Sequence, residues 1–133
     1  MEKVAPPALF EAPPPVERIV ADTSASVALS GLGVSAGIAT GRARVIRSAA
    51  AAEETELEAG EVLIAPFTDA AWTPLFVPAA AVVVETGGLL SHAATVAREF
   101  GIPAVVAVAG ATHHIRDGQT VTVDGAAGTI RIG

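Results

Sequence analysis

Short apolar runs separated by glycine and proline clusters fill the chain from about residue 29 onward. Residues 38–47 alternate apolar and polar positions, which predicts a strand with one wet face. EVLIA (61–65) and AAVVVE (80–85) are continuous apolar runs, the second rich in β-branched residues. Both predict short buried strands. AVVAV (104–108) predicts another. QTVTVD (119–124) and GTIRI (128–132) flank a turn containing Asp124 and Gly125, which predicts a hairpin. Helical signals are fewer. Residues 49–58 hold helix formers but little apolar face, so they suit a short helix or an exposed loop. Pro66 to Pro78 holds three prolines and predicts a loop or one short helical turn over 70–76, capped by Asp69. Ser91 caps a helix that Gly101 and Pro103 end. GLGVSAG (31–37) reads as turn-rich.

Strand, glycine loop, helix and strand follow one another over residues 86–106, in TGGLLSHAATVAREFGIPAVV. Such a unit needs a crossover connection and therefore parallel neighbours. The hairpin is antiparallel. The sum is an α/β domain with a mixed, partly β-rich sheet. Strand count alone leaves open whether the sheet is layered or simply open.

Residues 1–28 carry Pro6, Pro7, Pro13, Pro14 and Pro15 and read as a proline-rich tail or linker. The compact domain is expected over 29–133. Of the 133 residues 51% are hydrophobic but only 4% aromatic, which suits a tightly packed sheet covered by helices. No run approaches about 18 uninterrupted apolar residues, so a membrane span is not expected. The N-terminus lacks the basic and apolar regions of a signal peptide. The absence of cysteine excludes disulfides and thiolate metal sites and fits a cytoplasmic protein. A net charge of −6 argues against nucleic acid as a partner. Arg42, Arg44 and Arg47 read as the wet face of the early strand. Glu53, Glu54, Glu56, Glu58 and Glu61 read as a solvated run.

The chemistry gathers at His92, placed at the first turn of a helix. A helix start offers free N–H groups and the positive end of the dipole, and so attracts anions. Imidazole has an unperturbed pKa of about 6.5, leaving much of it neutral at pH 7 with one lone-pair nitrogen to attack phosphorus. The product is a phosphoramidate able to hand the group on through a covalent intermediate. Gly87 and Gly88 allow a phosphate close to the backbone. Ser91 is a helix cap with a spare hydroxyl, and Thr86 offers another. Arg98, six residues on, faces elsewhere and reads as a structural or interface residue. His113 and His114 have no third ligand spaced for a metal, and no metal site is expected. Trp72, the only tryptophan, is assigned to packing.

GGLLSHAATVAREFGIPAVV resembles the active-site signature of the phosphohistidine, or swivelling, domain of phosphoenolpyruvate-utilising enzymes. That group includes phosphoenolpyruvate synthase, pyruvate phosphate dikinase and rifampin phosphotransferase-like proteins. Gly87, Gly88, His92, Ala93, Ala94, Val96, Ala97 and Arg98 match its pattern. GLGVSAGIATGRARVI (31–46) is similar to the opening strand, and DGQTVTVDGAAGTIRIG (117–133) to the closing hairpin. FTDAAWTPLF (67–76) is similar to a Thr-Asp…Trp-Thr-Pro segment of the rifampin-type branch. Leu90 stands where the family has Ser, Thr or Asn, Thr95 where it has an aliphatic residue, and Ala81 and Ala107 where it has glycine.

The resemblance implies a layered β/β/α architecture and a domain that swings on flexible linkers between two distant active sites. It implies that His92 accepts phosphate, through Nε2, at one site and delivers it at another. The donor would be ATP or phosphoenolpyruvate and the acceptor pyruvate or another small molecule. These would be held by an ATP-grasp-type domain and a phosphoenolpyruvate-, pyruvate- or small-molecule-binding domain. Mg2+ is expected with the donor at those partner domains, and no cofactor on this chain. There is no GxxxxGK[ST] loop. The end at Gly133, just after the closing strand, is expected to reflect a C-terminal placement as in the rifampin-type arrangement. The alternative is a non-catalytic interaction, regulatory or anion-binding module that keeps the fold, a reading that Leu90 favours.

Overall fold

A computed structural model describes residues 27–133. The expected tail of residues 1–26 lies outside the described residues. In chain order the elements are β1 (Val27–Ser30), β2 (Leu32–Ser35), β3 (Ile38–Val45), α1 (Ala49–Glu54), β4 (Val62–Ala65), a 3-10 turn (Ala70–Trp72) running into α2 (Thr73–Phe76), β5 (Ala81–Val84), α3 (His92–Phe100), β6 (Ala104–Val106), α4 (Ala111–His114), β7 (Thr120–Asp124) and β8 (Thr129–Ile132). The eight strands hydrogen-bond in the order β1-β8-β7-β3-β4-β5-β6-β2.

β3 joins two layers. Its first part, Ile38–Arg42, pairs antiparallel with β7. Its last part, Ala43–Val45, pairs parallel with β4. One layer is thus the antiparallel β1-β8-β7 ribbon with the start of β3. The other is the parallel β3-β4-β5-β6 sheet, edged by antiparallel β2. The sheet is mixed, as the pattern predicts, and it is layered rather than open.

The period-two side-chain alternation of strands explains the layering. On the parallel strands Val62, Ile64, Ala81, Val83 and Val105 point to the antiparallel ribbon, where Val121, Val123, Ile130 and Ile132 meet them. Leu63, Ala65, Val82, Val84, Ala104 and Val106 point the other way, to Trp72, Leu75, Phe76, Ala93, Ala94 and Ala97 on the helices. Both faces are buried, so these strands read as continuous apolar runs. The architecture is β/β/α.

Three expectations are corrected. GLGVS is not only a turn but forms β2, antiparallel to β6. Gly33 permits this, because a side chain there would meet the Gly125 carbonyl of the β7–β8 connection. β6 stops at Val106, short of 108, because Ala107 takes a left-handed φ of +58°, which ends a strand. Val27 and Ala28, assigned to the tail, pair with Ile132 and Arg131 in β1. The helix signals stand as read. Ser91 caps α3 through Ala94 N–H, and Gly101 ends it at φ +71°. Asp69 caps the 3-10 turn through Ala71 N–H. Residues 49–54 are helical, with Ser48 as cap.

Candidate phosphoryl-carrier site

Three segments converge at one end of the parallel sheet: the loop after β4, the glycine loop after β5, and the start of α3. His92 is the first residue of α3 and is half-buried. Its Nδ1 lies 2.8 Å from Thr68 Oγ1. Its Nε2 lies 3.2 Å from Thr73 Oγ1. A hydroxyl both donates and accepts, so each ring nitrogen is satisfied in either neutral tautomer. The ring stands edge-on to Phe76, with centroids 5.7 Å apart and planes at 89°. The imidazole is therefore held on both nitrogens and on its flank.

The loop that supplies the threonines is itself fastened. The Thr86 hydroxyl donates to the Pro66 carbonyl at 3.0 Å. Trp72 is wholly buried and packs edge-on against Phe67 with centroids 5.6 Å apart. Its indole N–H has no hydrogen-bond partner among the described residues. A buried donor of that kind costs about 1–3 kcal/mol, so the apolar fit of the ring carries this residue.

The glycine loop is built around Ser91. Its hydroxyl donates to the Gly88 carbonyl at 2.7 Å and accepts from Ala94 N–H at 3.4 Å. Gly87 has φ +115°, and a Cβ there would press on Ser91 Oγ at 3.0 Å. Beside Gly88 the space is open. Helix geometry leaves the amides of His92 and Ala93 without an intrahelical acceptor. Free first-turn amides and the positive end of a helix dipole favour anions in general.

Of the residues that the sequence singles out, His92, Gly87, Gly88 and Ser91 come together at this mouth. Thr86 borders it with its proton committed to Pro66. Arg98 faces away, its Nε donating to the Val34 carbonyl at 2.8 Å, which ties α3 to β2. His113 and His114 are exposed on α4. Thr68 and Thr73 were missed as site residues. The one sequence signal for them is the Thr-Asp…Trp-Thr-Pro segment, read above as packing. Its threonines face the histidine and its tryptophan faces the core.

The surroundings carry little charge. His92 makes its polar side-chain contacts with two threonines and, among the described residues, with no lysine or arginine. Phe67, Leu89 and Leu90 are exposed at the mouth, Leu90 at 93%. One carboxylate lies behind, at the end of β5. Glu85 accepts from Thr112 N–H at 2.8 Å and from the Thr112 hydroxyl at 2.6 Å. Burial raises the pKa of this carboxyl. The Thr112 bonds and the charges of His113 and Arg47 outweigh that and hold it below its ordinary value.

Residues 57–128 match the family described as "PEP-utilising enzyme, mobile domain". The chain belongs to this family. Relatives of the mobile domain include the rifampicin phosphotransferase of Streptomyces sviceus, 54% identical over 79% of this chain and 12% of that protein. A probable phosphoenolpyruvate synthase of Staphylothermus marinus is 45% identical over 86% of this chain and 14% of its own length. The chain thus spans about an eighth of the length of these relatives. Among solved structures, an Enzyme I protein aligns with a TM-score of 0.52 and 30% identity over 62% of this chain and 33% of its own. Thermococcus kodakaraensis aconitase X shares the fold, with a TM-score of 0.61 and 22% identity over 80% of this chain and 98% of its own. In the Streptomyces sviceus relative the matching segment is one part of a longer rifampicin phosphotransferase. Among the described residues no helix is long and apolar enough to cross a membrane.

Proposed function

We propose that this mobile domain carries a phosphoryl group on His92 between a donor site and an acceptor site on partner domains. One observation supports this above the rest. The imidazole stands at the start of α3 beside open space at Gly88, with both nitrogens steadied by threonines. Phosphoryl transfer asks for in-line placement and charge neutralisation more than for acid–base groups. The domain supplies placement: a fixed ring, free first-turn amides and a side-chain-free approach. The neutralising cations, the Mg2+ and the donor belong to the partner domains in this reading. The donor is ATP or phosphoenolpyruvate, bound by an ATP-grasp-type or phosphoenolpyruvate-binding domain. The acceptor is pyruvate or another small molecule. The rifampicin phosphotransferase relatives favour a small-molecule acceptor. Residues 27–133, with β1 included, act as the carrier and the residues before them as its tether.

The test is label transfer. The chain and its His92→Ala variant are incubated with labelled ATP or labelled phosphoenolpyruvate, in lysate of the source organism. Label on the unaltered chain alone is the expected result, and the productive donor names the partner class. Label on both proteins, or on neither with either donor, contradicts the reading and favours a binding module.

A further inference from the structure

Thr73 touches the nitrogen that the proposed chemistry must free. The only polar side chain at Nε2 among the described residues is its hydroxyl, at 3.2 Å, longer than the 2.8 Å contact of Thr68 with Nδ1. Thr73 opens α2, directly after Trp72, and its backbone N–H is already bonded to the Ala70 carbonyl. A threonine in this setting has two accessible rotamers, because its hydroxyl can turn to a carbonyl three or four residues back. Ala70 and Asp69 stand at those positions. The two contacts therefore differ in kind. Thr68 holds the nitrogen that stays spectator, whereas Thr73 caps the nucleophile.

We propose that Thr73 is a two-position hydroxyl that covers Nε2 before phosphorylation and hydrogen-bonds the phosphoryl group afterwards. The inference rests on the carrier reading of His92. Before transfer the proton sits on Nδ1 and is donated to Thr68 Oγ1. Thr73 donates its O–H to the Nε2 lone pair. In the transfer step Thr73 turns away. The Nε2 lone pair forms the N–P bond, the bond from phosphorus to its donor breaks, and the leaving group takes that electron pair. The ring is then formally cationic, with Nδ1–H still on Thr68. Nε2 no longer accepts, and the Thr73 O–H is released to donate to a phosphoryl oxygen. Among the described residues no lysine or arginine contacts the ring, so this hydroxyl and the helix amides are the donors that the carrier itself brings to the phosphate.

The probe is phosphoramidate, a small phosphoryl donor that needs no partner domain. Wild type, Thr73→Val and Thr73→Ser are each treated with it. The rate of phosphohistidine formation and the half-life of the product are then followed. Valine has nearly the shape of threonine, so Thr73→Val removes the hydroxyl with little change of volume. Its labelling is expected to be no slower than wild type, because Nε2 is uncapped. Its phosphohistidine half-life is expected to fall about tenfold, the scale of one hydrogen bond to a charged group. Thr73→Ser is expected to restore the wild-type half-life. The 15N resonance of His92 Nε2 in the unphosphorylated protein is expected to move in Thr73→Val and not in Thr73→Ser. An unchanged half-life in Thr73→Val overturns the proposal, and so does an unmoved Nε2 resonance. Slower labelling with unchanged half-life marks a merely structural side chain. If wild type fails to label at His92, the carrier reading fails instead, and the resonance alone decides whether Thr73 holds the nitrogen.

Discussion

At the scale of single residues, the site depends on small groups in unusual positions. Gly87 is at φ +115°, a region essentially closed to other residues, and Ser91 stands where a Cβ on it would press. Gly87→Ala is expected to cost about 1–3 kcal/mol and to disturb the Ser91 cap, as checked by urea denaturation. Ala107 shows the opposite case. It is exposed and sits at φ +58°, where an L side chain costs roughly 1–2 kcal/mol. Part of that relief is offset by the freer unfolded chain of glycine. Ala107→Gly is expected to raise stability by about 0.5–1 kcal/mol. The same denaturation experiment decides it, and a loss of stability would show that the strain argument is wrong. The resemblance had marked Ala107 as a glycine position, and the backbone gives the reason.

At the scale of elements, α3 and the 3-10/α2 segment orient the histidine. Ser91→Ala removes both the cap to Ala94 and the bond to Gly88, and is expected to cost about 1 kcal/mol. Trp72→Ala opens a cavity at a fully buried position and is expected to cost about 3–5 kcal/mol. It should also free Thr73 and broaden the His92 ring resonances, which ring-selective NMR would detect. α3 was legible in the sequence because its signals are local: Ser91 at the cap, Gly101 at the end, small apolar residues between. β5 was legible because its β-branched run is buried on both faces. β2 was not, because its strand character depends on Gly33 facing the Gly125 carbonyl from the far end of the chain. The same limit hid Thr68 and Thr73. They lie 24 and 19 residues before His92, and only the crossover from β4 to β5 to α3 brings their hydroxyls to the ring. No local pattern distinguishes a threonine aimed at a histidine from one aimed at water.

At the scale of the molecule, the β/β/α stack makes a rigid block with its chemistry at one end. Glu85 helps tie that end together by joining β5 to α4 through Thr112. Its folded pKa lies below its ordinary 4.5, so the unfolded chain binds its proton first as pH falls. The stabilisation from Glu85 is then fully present above 4.5 and fades as pH drops through the folded value. The stability gap between the unaltered protein and Glu85→Gln is expected to be level at neutral pH and to close on acidification. Chemical denaturation across that range measures it. A gap that widens in acid would reverse the sign assigned here. On the carrier reading proposed above, the block brings a nucleophile and a cradle, and donor, metal and acceptor are assigned to partner domains.

The measurement that tests the central claim most directly is the location of the phosphate. The protein, phosphorylated by its donor, is digested and mapped by mass spectrometry under alkaline conditions, with a parallel sample treated with acid. The expected result is one phosphoryl group on His92, stable in alkali and lost in acid. Phosphate on Ser91 or another hydroxyl, surviving acid, would contradict the assignment of His92 as the carrier.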